Sequence, residues 1–332
     1  MILRILYWFA GIVLLVLLAV GISVWSAHDL EYNHTRATAQ LPDFSGQPGE
    51  GVSLYQIKSG EYTFRTRVAG FGGTRGNLIL LHGFPETSIM WQPLLERAAQ
   101  AGYQVVAFDQ RGYSPGARPE GREQYRMAEL MSDLLAIADL VGFDEFHLVG
   151  HDWGSGVGWS VVLQHPSRVQ SWTSLSIPHL ASFGEALAND PEQQKKSSYM
   201  MLFWTPLLPE AILSFNDFSV LRNMMYGEHG ESTRQEYMAV FREPGAMTTA
   251  LNWYRAPNDG NELASPDVDL PVLFIWGNHD PAVGRVAVDL QRQYLKGPFT
   301  EIELDAGHWL MESHPSEISD AVLKHISTHG GQ

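Results

Sequence analysis

Cysteine is absent from all 332 residues. Disulfides and thiolate metal sites are thereby excluded, and the redox compartment is left open. Basic residues are also scarce. Against 37 Asp and Glu stand 22 Lys and Arg, a formal net charge of −15. Nucleic acid and anionic lipid surfaces make poor partners for such a chain, because their phosphates repel it. No internal repeat or low-complexity tract is present. With 45% hydrophobic and 18% charged residues the composition is globular, and the length allows a core that needs no staples.

Charge is missing altogether from Ile5 to Trp25. A bilayer core needs roughly 20 apolar residues in a helix, so this run is long enough to span. Tyr7, Trp8 and Trp25 stand near its ends, where aromatic side chains favour the interface. Arg4 precedes it and Asp29 and Glu31 follow, which keeps the N-terminus cytoplasmic and carries the rest across. The alternative is a cleaved signal peptide, whose apolar region usually runs about 7–15 residues. Val24-Trp25-Ser26 would suit a peptidase there. Residues 1–30 are thus expected to be an anchor or a signal. The remainder is membrane-anchored outside the cytoplasm in the first case, and secreted or periplasmic in the second. Residues 31–50, polar and broken by Pro42, Gly46, Pro48 and Gly49, read as a linker.

Beyond the linker, short apolar runs alternate with helical patterns. Strands are expected at Tyr62–Val68, Asn77–Leu81, Gln104–Phe108, Phe146–Val149 and Val169–Ile177. Met127, Leu130, Leu134, Ile137 and Val141 recur at helical spacing and form a buried stripe that stops at Gly142. This alternation predicts an α/β protein with a mostly parallel sheet covered by helices on both faces. The rhythm breaks from about His179 to Pro266, where Met, Leu and aromatics form helical patches. Residues 51–178 and 267–332 are read as two parts of one core, and residues 179–266 as an inserted helical cap. Strands at Pro271–Trp276 and Phe299–Leu304, then a helix at Pro315–Ile326, complete the core.

Val149-Gly150-His151-Asp152-Trp153-Gly154-Ser155 falls between an expected strand and an expected helix. Small residues on either side of a central one let a sharp strand-to-helix turn thrust that residue out over the sheet edge. It then sits at the positive end of the following helix. The central residue is usually serine; here it is Asp152. A carboxylate there can attack a saturated carbon and form an ester. The bland alternative is an N-cap.

On sheets with such a turn the catalytic order is nucleophile, acid, histidine. Asp280, in Trp276-Gly277-Asn278-His279-Asp280, follows a late strand, and His308, in Asp305-Ala306-Gly307-His308-Trp309, follows the last. His279 and His314 are rival bases among the 13 histidines, and Asp305 is a rival acid. Asp280 could equally be a turn residue before Pro281. An oxyanion would be met by the backbone N–H of Phe84, in Leu81-His82-Gly83-Phe84-Pro85-Glu86, and of Trp153. His82 is read as holding that loop.

Together, His82-Gly83-Phe84-Pro85, Gly150-His151-Asp152-Trp153-Gly154, Arg111-Gly112-Tyr113 and Gly307-His308-Trp309 resemble the epoxide hydrolase branch of the α/β-hydrolase fold. The likeness covers roughly residues 52 to 328. It implies two lid tyrosines. Leu251-Asn252-Trp253-Tyr254-Arg255 matches the motif around the second, giving Tyr254. Ser198-Tyr199 with Phe203 and Pro206 resembles the stretch around the first, giving Tyr199, with Tyr237 as a rival. The sequence departs from the family pattern at Ser114-Pro115 and at Ser155.

The resemblance implies this chemistry. Asp152 attacks a ring carbon while Tyr199 and Tyr254 protonate the opening oxygen. His308, oriented by Asp280, then activates a water that hydrolyses the ester to a vicinal diol, with no metal or organic cofactor. The expected partners are a small apolar epoxide and water. A haloalkane-type dehalogenase with the same nucleophile is the rival, but its haloalkane members usually place asparagine where Phe84 stands. A non-catalytic binding protein on the same fold is a third reading, opposed by the complete triad.

Overall fold

Eight short strands, most of them bounded by turn residues, pair into one sheet. The computed structural model describes residues 34–46, 51–224, 231–257 and 267–330. Its strands are β1 (Ser53–Ser59), β2 (Tyr62–Ala69), β3 (Asn77–Leu81), β4 (Gln104–Phe108), β5 (Phe146–His151), β6 (Val169–Leu175), β7 (Val272–Gly277) and β8 (Phe299–Leu304). The order across the sheet is β1-β2-β4-β3-β5-β6-β7-β8. β1 and β2 pair antiparallel, as do β2 and β4. Every other neighbour is parallel. Central strands β3, β5 and β7 are buried along most or all of their length, as parallel strands covered by helices must be. Their sequences accordingly read as continuous apolar runs rather than alternating ones.

The helices, in chain order, are α1 (His34–Ala39), α2 (Gln92–Gln100), α3 (Met127–Leu140), α4 (Trp153–Gln164), α5 (Leu180–Asn189), α6 (Pro191–Lys196), α7 (Tyr199–Trp204), α8 (Leu208–Met224), α9 (Glu231–Phe241), α10 (Ala246–Arg255), α11 (Arg285–Leu290), α12 (Leu310–Ser313) and α13 (Pro315–His329). The stripe on α3 buries Leu130, Leu134 and Ile137, each contributing about 1.5–3 kcal/mol. α5 to α10 lie between β6 and β7, in the stretch that lacks strand runs. α8 is broken at Phe215–Phe218, where three residues have positive φ.

Two features depart from the sequence reading. The β1 strand was not among those expected; its burial is only partial, so its residues carry a weak apolar pattern. The stretch read as a linker contains α1, whose His34 and Thr38 are buried. His34 Nε2 lies 3.6 Å from the buried Asp109 carboxylate, a contact that polar composition alone does not reveal. Among the described residues no helix is long and apolar enough to cross a membrane. The Ile5–Trp25 run expected to span one lies outside those residues.

Candidate active site

β5 ends at His151 and α4 begins at Trp153, so Asp152 alone makes the reversal. Its backbone is held at φ 51° and ψ −122°, a strain on the order of 1–3 kcal/mol that surrounding packing must enforce. Two glycines make the close approach possible. A Cβ on Gly154 would lie 2.3 Å from the Leu81 carbonyl oxygen, and one on Gly83 would lie 2.4 Å from the Asp152 Cβ.

Asp152 makes no side-chain cap on α4, so the N-cap alternative does not describe it. Its Oδ1 instead accepts the Phe84 backbone N–H at 2.8 Å. Its Oδ2 faces His308 Nε2 at 3.5 Å. Trp153 is the first residue of α4, where a backbone N–H has no intrahelical acceptor. The Phe84–Pro85 bond is cis.

His308 Nδ1 bonds Asp280 Oδ2 at 2.7 Å. The other Asp280 oxygen accepts the N–H groups of Ala282 and Val283 at 2.7 and 3.0 Å. Lys196 of α6 donates to the Asp280 backbone carbonyl. Asp280 is therefore fixed from two sides and holds the imidazole. The rivals sit elsewhere. His279 pairs with Asp305 at the exposed surface, and His314 bonds Ser313.

Burial opposes the Asp152 charge, yet the hydrogen bond and charge of His308 outweigh it and hold the carboxyl below its usual range. Burial alone would lower His308, but the Asp280 charge, then Asp152, raise it well above the ordinary imidazole value. The resting arrangement is a carboxylate beside an imidazolium.

Tyr199 begins α7 and Tyr254 lies near the end of α10. Their rings are 6.3 Å apart and meet edge-on. Trp153 packs edge-on to Tyr254 at 5.0 Å. Phe84 meets Tyr254 at 5.8 Å. Burial, together with nearby negative charge including Asp152, pushes both phenols well above their usual value. They remain protonated at any neutral pH. Tyr237 is remote in role: its hydroxyl donates to Glu312 at 3.0 Å.

The Arg111-Gly112-Tyr113 turn seats α10. Trp253 Nε1 donates to the Arg111 carbonyl at 2.9 Å, and Thr249 to the Gly112 carbonyl at 2.8 Å. Arg111 itself is held by a two-pronged bond to Asp133. His82 accepts the Gln110 N–H at 3.0 Å, and Gln110 returns a bond to the His82 carbonyl. Burial pushes His82 down to about 4, so it is a neutral strut for the loop.

The sequence reading passed over one buried network. His151 Nε2 bonds the backbone carbonyl of His308 at 3.0 Å, and its Nδ1 meets Glu86 Oε2 at 2.7 Å. A carbonyl only accepts, so Nε2 carries the proton and Nδ1 is the acceptor of a neutral ring. Burial lowers His151 and pushes Glu86 up to about 8, which supplies the proton that Nδ1 needs. Glu312 lies beside Glu86 and accepts the Tyr237 hydroxyl. Glu86, His151 and the His308 carbonyl form one donor-to-acceptor series. A buried acid beside an apolar run was the available signal at Glu86 and Glu312.

The alpha/beta hydrolase fold family matches residues 76–315. The chain is 33% identical to Epoxide hydrolase 3 of Xenopus tropicalis over 256 residues, 74% of this chain and 70% of that protein. It is 32% identical to Epoxide hydrolase 4 of Homo sapiens over 293 residues, 85% of this chain and 80% of that protein. The crystal structure of a Bacillus megaterium epoxide hydrolase in complex with an inhibitor superposes with a TM-score of 0.74 at 26% identity, covering 82% of this chain and 99% of that one. The chain belongs to the epoxide hydrolase branch of the alpha/beta hydrolase fold superfamily.

Proposed function

We propose that the protein hydrolyses small apolar epoxides to vicinal diols through a covalent ester on Asp152. One observation carries the reading. Asp152 faces the His308–Asp280 couple, and two phenols, Tyr199 and Tyr254, pack against each other, Tyr254 also against Phe84 and Trp153, the residues that flank Asp152. Asp152 attacks an epoxide carbon and the C–O bond breaks. Tyr199 or Tyr254 gives the leaving oxygen its proton. Esterification removes one of the two carboxylates that hold the His308 proton. The imidazole then yields that proton, which restores the phenol, and becomes a base. Water, deprotonated by His308, attacks the ester carbonyl carbon. The oxyanion rests on the N–H groups of Phe84 and Trp153, and collapse releases the diol and Asp152.

We further propose that Ile5–Trp25 anchors the chain, with residues 51–332 outside the cytoplasm and residues 179–266 acting as a lid. An uncharged run of that length supports anchoring. Incubating the protein with an aryl epoxide and, separately, a haloalkane tests the chemistry. Diol that disappears in Asp152→Ala is the expected result. Halide release without diol would replace this reading with the dehalogenase one.

A further inference from the structure

The outer face of α7 and α8 is unusually apolar. Seven of the ten large hydrophobic side chains exposed among the described residues lie between Met201 and Met224. Leu207 is 77% exposed, Met201 63%, Phe215 59% and Trp204 58%, with Leu208 and Ile212 beside them in sequence. Exposed apolar clusters of this kind mark interaction surfaces. Charge is nearly absent from it. In a chain of net charge −15, the only charged residue from Tyr199 to Phe215 is Glu210. Glu210 is neutralised by Arg255 at 2.6 Å, and the same Arg255 ties down the carbonyls of Phe203 and Thr205. The turn between the two helices is thus pinned from inside, and its apolar side chains face out.

The described chain begins beside this face. Thr35 of α1 bonds Glu243, through its backbone N–H at 3.0 Å and through its hydroxyl. The neighbouring Arg242 grips Asp217 at 2.8 Å, two residues from Phe215. From Trp25 to Thr35 ten residues reach at most about 35 Å. A fold of this size is roughly 50 Å across. A membrane-held Trp25 therefore cannot leave the opposite side of the molecule against the bilayer.

We propose that the α7–α8 face, centred on Trp204, Leu207 and Phe215, docks into the surface of the bilayer that the Ile5–Trp25 run enters. The inference rests on the anchoring reading above. The one basic residue of the two helices, Arg222, is paired with Asp217 at 3.0 Å, which points to insertion among zwitterionic lipids by apolar contact rather than attraction to anionic headgroups. α7 has two sides. Tyr199 and Phe203 face the site, with Phe203 5.7 Å from Phe84, while Met201 and Trp204 face outward. One helix thickness then separates the lipid from the two phenols, and an apolar epoxide dissolved in the membrane has a short way in.

The lack of cysteine gives a clean test. Leu207→Cys, Phe215→Cys and the distant Leu140→Cys, each in the full chain, are labelled with an environment-sensitive fluorophore and reconstituted into phosphatidylcholine vesicles. Diol formation from a water-soluble aryl epoxide reports independently on the catalytic reading. Nitroxide-bearing lipid is expected to quench labels at 207 and 215 several-fold more than at 140, because docked side chains sit roughly 5–10 Å into the interface. Vesicle-bound protein with equal, weak quenching at all three positions overturns docking and leaves anchoring intact. Shielding at 207 by a second copy, seen as self-quenching between labels without lipid quenching, also overturns it. Protein that parts from the vesicles overturns anchoring and docking together.

Discussion

His151 Nε2–H donates to the backbone carbonyl of His308 at 3.0 Å, so the residue before the proposed nucleophile positions the residue proposed as the base. That bond requires a neutral imidazole whose Nδ1 is served by Glu86. Glu86→Ala is therefore expected to leave Nδ1 buried and unsatisfied, at a cost of about 1–3 kcal/mol in urea unfolding. Glu86→Gln, whose amide can still donate, is expected to lose less. Equal losses in the two variants would show that His151 does not need the donor.

The same pair makes a pH prediction. Folded Glu86 keeps its proton up to about 8, whereas an unfolded glutamate releases it near 4.5. Its contribution to stability is complete below the unfolded value and is lost as pH rises through the folded one. A tenfold change in proton affinity is worth about 1.4 kcal/mol, so the whole effect is on the order of a few kcal/mol. Between pH 5 and 9 the stability of the wild type should fall relative to Glu86→Gln. Parallel curves would mean that Glu86 is already ionised in the fold.

The elbow was readable in the sequence because Gly150, Asp152 and Gly154 are adjacent and bounded by a strand and a helix. Asp280 and His308 were readable because each follows a strand. The Glu86–His151 bond spans 65 residues, and Tyr237–Glu312 spans 75. Local patterning carries no register over such distances, so His151 looked like a spacer and Glu312 like one acid among many. α1 was hidden for another reason. Six residues, four of them polar, form a helix there through docking of His34 and Thr38, not through an apolar stripe.

The strained backbone of Asp152 opposes function to stability. Asp152→Gly and Asp152→Ala both remove the carboxylate that His308 faces, but only glycine relieves the backbone strain, so the glycine variant should be the more stable of the two by about 1 kcal/mol or more. Diol formation should vanish in both. Chemical denaturation beside an epoxide assay checks this, and a glycine variant no more stable than the alanine one would contradict the strain.

Tyr199→Phe and Tyr254→Phe each leave one phenol to serve the opening oxygen. Each single variant is expected to lose roughly one to two orders of magnitude in kcat/KM, and the double variant substantially more, within the range of general acid catalysis. Both phenols lie far above neutrality, and Asp152 is depressed. The wild-type kcat/KM should therefore be flat across neutral pH, falling in acid where Asp152 gains a proton and in strong alkali where a phenol loses one. A double variant with full activity would remove the phenols from the mechanism.

The covalent ester is tested most directly with one turnover in heavy-oxygen water. Enzyme in excess over an aryl epoxide is quenched, the diol is weighed by mass spectrometry, and so is the peptide carrying Asp152. If the carboxylate attacks carbon and water later attacks the ester carbonyl, the diol leaves with an oxygen from Asp152 and is unlabelled, while the peptide gains the heavy oxygen. A labelled diol with an unlabelled peptide would mean that water opens the epoxide directly and that Asp152 is not the nucleophile.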